Sequence, residues 1–248
     1  MTAASPDRRV VAAEPHLPAS ARPARASTLR RIARENALSL ALLGLFSLCV
    51  LGQILFGLPA YNAERLERGA RALSLGSYLR SGHFLEALFE NWESEFLQMA
   101  LFVWLSSLLL QKGSAESRPL TEASEADEDP RLRRAEPGVP WPVRRGGWVL
   151  WLYERSLSLT FMALFVVSWL GHAYGGLLLD NEERLARGLA EQSWWQFVGS
   201  SEFWFQSLQN WQSEFLAILS IVILTIFLRQ RGSPQSKPVA AEHSQTGH

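Results

Sequence analysis

Cysteine, net charge and enzyme signatures are scarce in this chain of 248 residues. Its single cysteine, Cys49, excludes a disulfide framework or a cysteine-rich metal site within one chain. The formal net charge is zero, so no overall positive field indicates nucleic acid as a partner. The sequence also lacks a nucleophile elbow, a phosphate-binding loop, a zinc-binding helix and a dinucleotide fingerprint. We therefore expect a protein that is not an enzyme and that uses no cofactor and no metal.

Charge is also missing from four long apolar stretches, which are residues 37–58, 96–110, 157–179 and 215–228. A helix needs about 20 mostly apolar residues to cross a bilayer, and the first and third stretches reach that length. The other two are shorter, but each follows an amphipathic stretch that can join it in one oblique helix. Interfacial or re-entrant placement of the shorter stretches is the alternative. We predict four spans, at about 37–59, 95–111, 157–179 and 214–229.

Two halves of the sequence align with each other. Residues 35–119 match residues 154–238 at a constant offset of 119 without a gap, and more than a third of the aligned positions are identical. Self-similarity of this kind indicates a tandem duplication. We therefore predict an all-α membrane protein with four transmembrane helices from two tandem-duplicated helical hairpins. Each hairpin carries an external amphipathic helix that leads into its second span.

The positions of arginine and lysine predict the topology. They concentrate in the N-terminal arm, in the central linker and in the tail, whereas acidic residues outnumber them in the two loops within the hairpins. The positive-inside rule then places both termini and the linker in the cytoplasm. The expected parts are a disordered cytoplasmic arm (1–28), a first hairpin repeat (29–112), a flexible cytoplasmic linker (113–147), a second hairpin repeat (148–232) and a cytoplasmic tail (233–248).

The best-matched segment between the copies, residues 91–97, differs from its counterpart at one position only. At about 100° per residue, Glu95 falls on the apolar stripe of its helix, and Asn91 lies one turn earlier, within reach of a hydrogen bond. The second copy repeats this carboxamide–carboxylate pair with Asn210 and Glu214. If the copies pack about a pseudo-two-fold axis along the membrane normal, the two carboxylates can face each other and share a proton or hold a cation.

A structural alternative gives these carboxylates no functional role. Each then caps the entry of its own helix or pairs with an arginine of the adjoining loop. The candidate partners are Arg65, Arg68, Arg184 and Arg187. Three other acidic residues of the first copy are replaced in the second copy, so we expect them on the opposite, solvated face of the helix. They are Glu86, Glu90 and Glu93.

Aromatic and histidine side chains receive structural interpretations. Tryptophan is enriched at membrane interfaces, and four residues are candidates for that position: Trp92, Trp211, Trp148 and Trp151. His83 and His172 are not repeated between the copies and have no second ligand at helical spacing, which disfavours a metal site. We expect His172 to be a hydrogen-bonded residue at a helix interface.

Three phrases carry a resemblance to a known family. They are residues 86–99 and 203–216, which share the pattern Asn-Trp-x-Ser-Glu-Phe, and residues 227–238, Phe-Leu-Arg-Gln-Arg-Gly-Ser-Pro-Gln-Ser-Lys-Pro. They resemble a bacterial family of integral membrane proteins classed as a domain of unknown function. The resemblance covers about residues 30–119 and 148–242, without the N-terminal arm and the acidic linker. It implies a multi-pass protein of the bacterial inner membrane and brings no activity.

The sequence favours a non-enzymatic structural or interaction protein of the cell envelope. Its expected partners are the lipid bilayer and either a second copy of the chain or another envelope protein, with no nucleic acid. The alternative is a small transporter or channel component that uses Glu95 and Glu214 for proton or cation binding. Short spans, few internal polar groups and no broken helix disfavour a pathway within one chain.

Overall fold

The computed structural model describes residues 28–120 and 127–247, and every regular element in these ranges is a helix. The predicted disordered arm lies outside the described residues, apart from its last residue. The helices are α1 (Thr28–Glu35), α2 (Ala37–Glu67), α3 (Leu75–Tyr78), α4 (Gly82–Leu108), α5 (Trp141–Arg145), α6 (Gly147–Glu154), α7 (Ser156–Ala186), α8 (Trp194–Val198) and α9 (Ser201–Phe227). The fold class is therefore helical, as the sequence predicts.

The long helices follow the offset of the sequence copies. Helices α2 and α7 have 31 residues each, and α4 and α9 have 27 residues each. Each of the two long helices of the second copy begins and ends 119 residues after its counterpart. Both α4 and α9 run without interruption from the amphipathic stretch into the apolar stretch, as expected.

Three helices in the described part of the chain are long and apolar enough to cross a membrane, namely α2, α7 and α9. Helices α2 and α7 contain two of the four predicted spans in full, and α9 covers the last predicted span up to Phe227. Helix α4 covers the remaining predicted span up to Leu108 but is not among these three helices. Its first half carries four glutamates, which lower its hydropathy: Glu86, Glu90, Glu93 and Glu95. The fourth span therefore stays a prediction.

The chain divides into two compact units, Met1–Gln53 and Ile54–His248. In the first unit, the described residues form α1 and the first part of α2. The backbone N–H of Asn36 donates to the carbonyl of Ile32 at 3.0 Å, which continues the helical pattern across the junction of α1 and α2.

Helices α4 and α7 of the second unit pack closely because α7 presents glycines to α4. A Cβ atom on Gly171 would lie 2.5 Å from Cγ of Phe89, and one on Gly175 would meet the backbone of Glu86. Small residues permit such close approach of two helices. Since the earlier residue of α4 meets the later residue of α7, the two helices run antiparallel.

Two aromatic cores lie beside these helices. The first contains Tyr61, Tyr78 and Phe84, and the second contains Ala173, Phe197 and Phe203. Tyr78 and Phe197 are counterparts at the sequence offset, and each fills the space beside a glycine, Gly57 or Gly176 respectively. Burial raises the pKa of the Tyr78 hydroxyl. The two sequence copies thus use matching positions to fix the short helices α3 and α8.

The connections at one end of the second unit also match between the copies. The Asn62 side chain donates to the carbonyl of Leu73 at 3.0 Å and accepts from its N–H at 2.7 Å. Asn181 makes the same two bonds to Gln192, at 3.1 and 2.6 Å. We call this end, with residues 68–81 and 187–200, the loop end. The opposite end, with residues 109–120 and 228–247, is the tail end.

Candidate functional site

The most enclosed ionisable side chains lie where α4, α7 and α9 meet. Glu93 of α4 and His172 of α7 are both 0% exposed. Oε2 of Glu93 lies 2.7 Å from Nδ1 of His172, and Oε1 accepts a hydrogen bond from Nε1 of Trp211 at 2.8 Å. Both carboxylate oxygens therefore have a partner, which a buried carboxylate requires because its desolvation is costly.

His172 lies between two acceptor oxygens. Its Nε2 is 3.3 Å from Oε1 of Gln206, while Nδ1 faces Glu93. When both ring nitrogens donate, the ring is an imidazolium and forms an ion pair with the Glu93 carboxylate. A neutral ring requires the opposite role from one neighbour, either a protonated Glu93 or a reversed Gln206 amide. The pair can thus hold its proton on either residue.

Two further carboxylates of α4 approach this pair from the loop end. Glu86, Glu90 and Glu93 are four and three residues apart, so they share one face of the helix. Glu90 accepts a hydrogen bond from the Asn210 amide of α9. Glu86 lies in the electrostatic field of His172, and the neighbouring Gln206 amide favours the charged form of its carboxyl group. The site thus contains three carboxyl groups and one imidazole, each of which can accept a proton.

A multidentate metal site does not emerge from the described residues, which contain no group of three His, Cys, Asp or Glu side chains placed to hold a metal ion. The groups of this site instead pair with amides, an indole and an imidazole. The ligand that this chemistry accommodates directly is a proton.

The chain matches the family described as Domain of unknown function (DUF6766) over residues 29–248. It belongs to the DUF6766 family. The match includes the linker at 113–147, so the expectation that the acidic linker lies outside the family pattern is wrong. Comparison with curated proteins and with solved structures finds no match. The DUF6766 assignment brings no activity, and the site must be interpreted from its own geometry.

The sequence-based assignment of the faces of α4 is wrong. Glu93, expected on the solvated face, is fully buried, whereas Glu95, expected to face packed protein, is exposed. The physical reason is that α4 is packed on more than one side. Phe84 of its apolar stripe joins the first aromatic core, while the polar face contacts α7 and α9. An apolar stripe identifies one packed face of a helix but does not show that the other face is free.

The predicted carboxamide–carboxylate pairs do not form. The Asn91 amide donates to the carbonyl of Ala87 at 2.7 Å, and the Asn210 amide binds Glu90 instead of Glu214. The reason is that the Asn91 amide turns back to its own helix, while α9 lies beside the acidic face of α4. Glu95 and Glu214 lie in each other's electrostatic field where α4 passes α9, and there the Gln98 amide donates to the Glu214 carbonyl at 3.0 Å.

The four loop arginines form ion pairs and hydrogen bonds near the loop end. Arg65 pairs with Glu182, and Arg68 contacts Glu183 at 3.1 Å. Arg187 binds Glu183 at 3.0 Å, and Nε of Arg184 donates to the carbonyl of Ala190 at 2.8 Å. The expectation that these arginines pair with Glu95 or Glu214 is therefore wrong, because Glu182, Glu183 and a loop carbonyl occupy them instead.

The four tryptophans have different surroundings. Trp148 and Trp151 are exposed, and the Arg155 guanidinium lies 4.8 Å from the centre of the Trp151 ring. Trp92 is half-buried, with its ring 5.5 Å from that of Phe89. Trp211 has a direct polar role, because its indole N–H binds Glu93. The prediction that Trp211 is a membrane-interface residue does not account for this hydrogen bond.

The sequence contains a signal that points to the correct residues. Glu86, Glu90, Glu93 and His172 correspond, at the offset of 119, to Phe205, Gln209, Gln212 and Gln53. Every titratable member of the cluster therefore has a counterpart that does not titrate. The exchanges of the three glutamates, taken one by one, predict a solvated face, whereas the expectation that His172 is a hydrogen-bonded residue at a helix interface is confirmed. If the four residues act together, the second copy is expected to lack all four titratable groups, as it does.

Proposed function

We propose that the protein is a small transporter or channel component that binds and releases protons at the Glu93–His172 pair. It is a non-enzymatic, multi-pass protein of the bacterial inner membrane with both termini in the cytoplasm. Two tandem-duplicated hairpins with four spans form it. Three apolar helices and the matching helix bounds and loop hydrogen bonds at the sequence offset support this architecture.

The observation that carries the proposal is the complete burial of Glu93 and His172, in contact at 2.7 Å between two helices. A buried ion pair contributes little net stability compared with apolar packing. Ionisable residues inside membrane helices instead mark proton relays and ion pathways. The pair also keeps the same total charge whether its proton lies on the imidazole or on the carboxylate, so an internal transfer leaves no net buried charge.

The arrangement of α4 supports the same function. Glu86 and Glu90 are half-buried, whereas Glu93 is fully buried, so the acidic face of the helix leads from the loop end into the protein. Hydrogen-bonded amides from α9 accompany it at Gln206 and Asn210. A row of protonatable groups that becomes more enclosed with depth is the arrangement that a proton path requires.

A second candidate function is a structural or interaction protein of the envelope. Exposed aromatic and aliphatic side chains favour it, with Trp195 of the short helix α8 at 80% exposure. Large exposed apolar surface marks contact with lipid or with another protein. A second copy of this chain or another envelope protein then binds there, and the Glu93–His172 pair holds α4 and α7 in register.

Proton flux into proteoliposomes tests the proposal. The decisive variant is Glu93→Gln with His172→Gln, because the counterparts of both residues are glutamine. It removes both charges together and leaves no unpaired ion in the interior. The matched control is Glu95→Gln with Glu214→Gln, which removes two carboxylates that lie outside the buried cluster.

We expect flux in the native protein and in the control, and none in the Glu93–His172 variant. Equal flux in all three folded proteins would exclude the pair as the site. Absence of flux from the native protein, together with a specific binding partner or a stable oligomer, would support the second candidate.

A further inference from the structure

We infer that Glu86 is the residue through which the buried pair exchanges protons with water at the loop end. This inference rests on the proposed function and adds the route by which protons reach the site. It assigns Glu86 a role as proton acceptor and donor, distinct from that of Glu93, which holds the proton inside.

The packing around Glu86 leaves a slot for its carboxylate. Gly175 allows the backbone of Glu86 to approach α7, and Oε1 of Glu86 lies 3.2 Å from the position that a Cβ atom on Gly176 would take. Phe197 closes the slot on another side, with Cζ at 2.6 Å from the same position. Two adjacent glycines of α7 thus create the space in which the carboxylate is half-buried.

The contacts of Glu86 connect the buried pair with the loop end. The Gln206 amide favours the charged form of Glu86, and its Oε1 faces Nε2 of His172 at 3.3 Å. Glu183, which pairs with Arg68 and Arg187 at the loop end, contributes to the electrostatic field at Glu86. Glu86 therefore interacts electrostatically with His172 toward the interior and with Glu183 toward the loop end.

The charged and titratable groups that face Glu86 come from three helices. Glu90 of α4 and both His172 and Glu183 of α7 act on Glu86 directly. Glu93 of α4 acts on Glu90, and Glu202 of α9 accepts from the Gln206 amide at 3.5 Å. Glu90 is held by Asn210, whereas Glu86 is the half-buried carboxylate that lies in the electrostatic field of Glu183. The counterpart of Glu86 is Phe205, a residue that cannot accept a proton.

The proposed exchange moves one proton at a time. A hydronium ion at the loop end gives its proton to the Glu86 carboxylate and becomes water. The resulting neutral carboxyl group then gives the proton to an inner acceptor, Glu90 or His172, and returns to the anion. Gln206 positions the groups and does not itself carry the proton, because a carboxamide is neither an effective acid nor an effective base.

Exchange of the His172 N–H protons with water tests this role without requiring net flux. The protein contains five histidines, so ¹⁵N-histidine spectra in liposomes are assignable with a His172→Gln variant. Glu86→Gln keeps the shape of the side chain but cannot take up a proton at neutral pH. Glu86→Asp retains the carboxylate, and Glu191→Gln is a control at an exposed carboxylate of the loop end.

We expect Glu86→Gln to slow exchange at His172 about 100-fold, the loss typical of removing a positioned acid–base group, while His172 remains bonded to Glu93. Glu86→Asp should restore much of the rate, and Glu191→Gln should not change it. An unchanged rate in Glu86→Gln would overturn this inference and leave the proposed function intact. A His172 that neither titrates nor exchanges in the native protein would instead overturn both.

Discussion

The two sequence copies share their backbone plan and differ in the charge of one interface. Helix lengths, the asparagine braces of the loops and the aromatic residues beside Gly57 and Gly176 recur at the same offset. The acidic face of α4 and its partner His172 do not recur in the counterpart positions, which are apolar or amide residues. The features that both copies share therefore determine how each hairpin folds. The charged residues that only one copy has give the α4–α7 interface its proposed function.

A second difference accompanies the charge. Gly175, which lets α7 approach the backbone of Glu86, corresponds to Phe56, which is 78% exposed. Close packing and buried charge therefore occur together at the α4–α7 interface. This combination is physically consistent, because a buried ion pair is tolerated only where packing excludes water and supplies hydrogen bonds.

The largest expected effect comes from breaking the pair on one side. Glu93→Leu leaves His172 and the Trp211 N–H without their partner in the interior, and we expect a loss of about 3–5 kcal/mol in the free energy of unfolding. Glu93→Gln with His172→Gln gives this interface the amides found at the counterpart positions and should cost less than Glu93→Leu alone. Unfolding in mixed micelles measures both values. A larger cost for the double variant would show that the charge is needed for folding.

The next effect concerns the glycine at the same interface. Gly175→Ala places a Cβ atom against the backbone of Glu86, and overpacking of this kind costs about 1–3 kcal/mol. Phe56→Ala, at the exposed counterpart position, should change the free energy of unfolding by no more than about 0.5 kcal/mol. Thermal unfolding of the two variants provides the comparison. Equal losses would remove the distinction between the two positions.

The asparagine side chains that bind the loops should contribute equally to stability in both copies. Asn62→Ala and Asn181→Ala each remove two hydrogen bonds to one loop residue, so we expect similar losses of about 1 kcal/mol. Proton flux should persist in both variants, since neither residue contacts the Glu93–His172 pair. A loss confined to one copy, measured by unfolding under identical conditions, would contradict the shared backbone plan.

Periodicity and internal alignment predict much of this fold from the sequence. The continuous helices α4 and α9 follow from the joined amphipathic and apolar stretches, and the equal helix lengths follow from the ungapped alignment. The identity of the buried carboxylate could not be predicted in this way. The spacing of apolar residues reveals one packed face, whereas the polar face of α4 is packed by glycines of α7 and an indole of α9, whose positions depend on tertiary structure.

The smallest effect is expected at Glu95 and Glu214, the site that the sequence predicts, in contrast to the Glu93–His172 site that the structure shows. Glu95 is exposed and Glu214 is only half-buried, so Glu95→Gln with Glu214→Gln should alter the free energy of unfolding by no more than about 0.5 kcal/mol. The chemical shift and exchange rate of His172 should also be unchanged, because Glu93 supplies its carboxylate partner. The same ¹⁵N-histidine spectra provide the measurement. A shift in the titration of His172 in this variant would show that the outer carboxyl pair is coupled to the buried one, and the proton path would then extend along α4 beyond Glu93 toward the tail end.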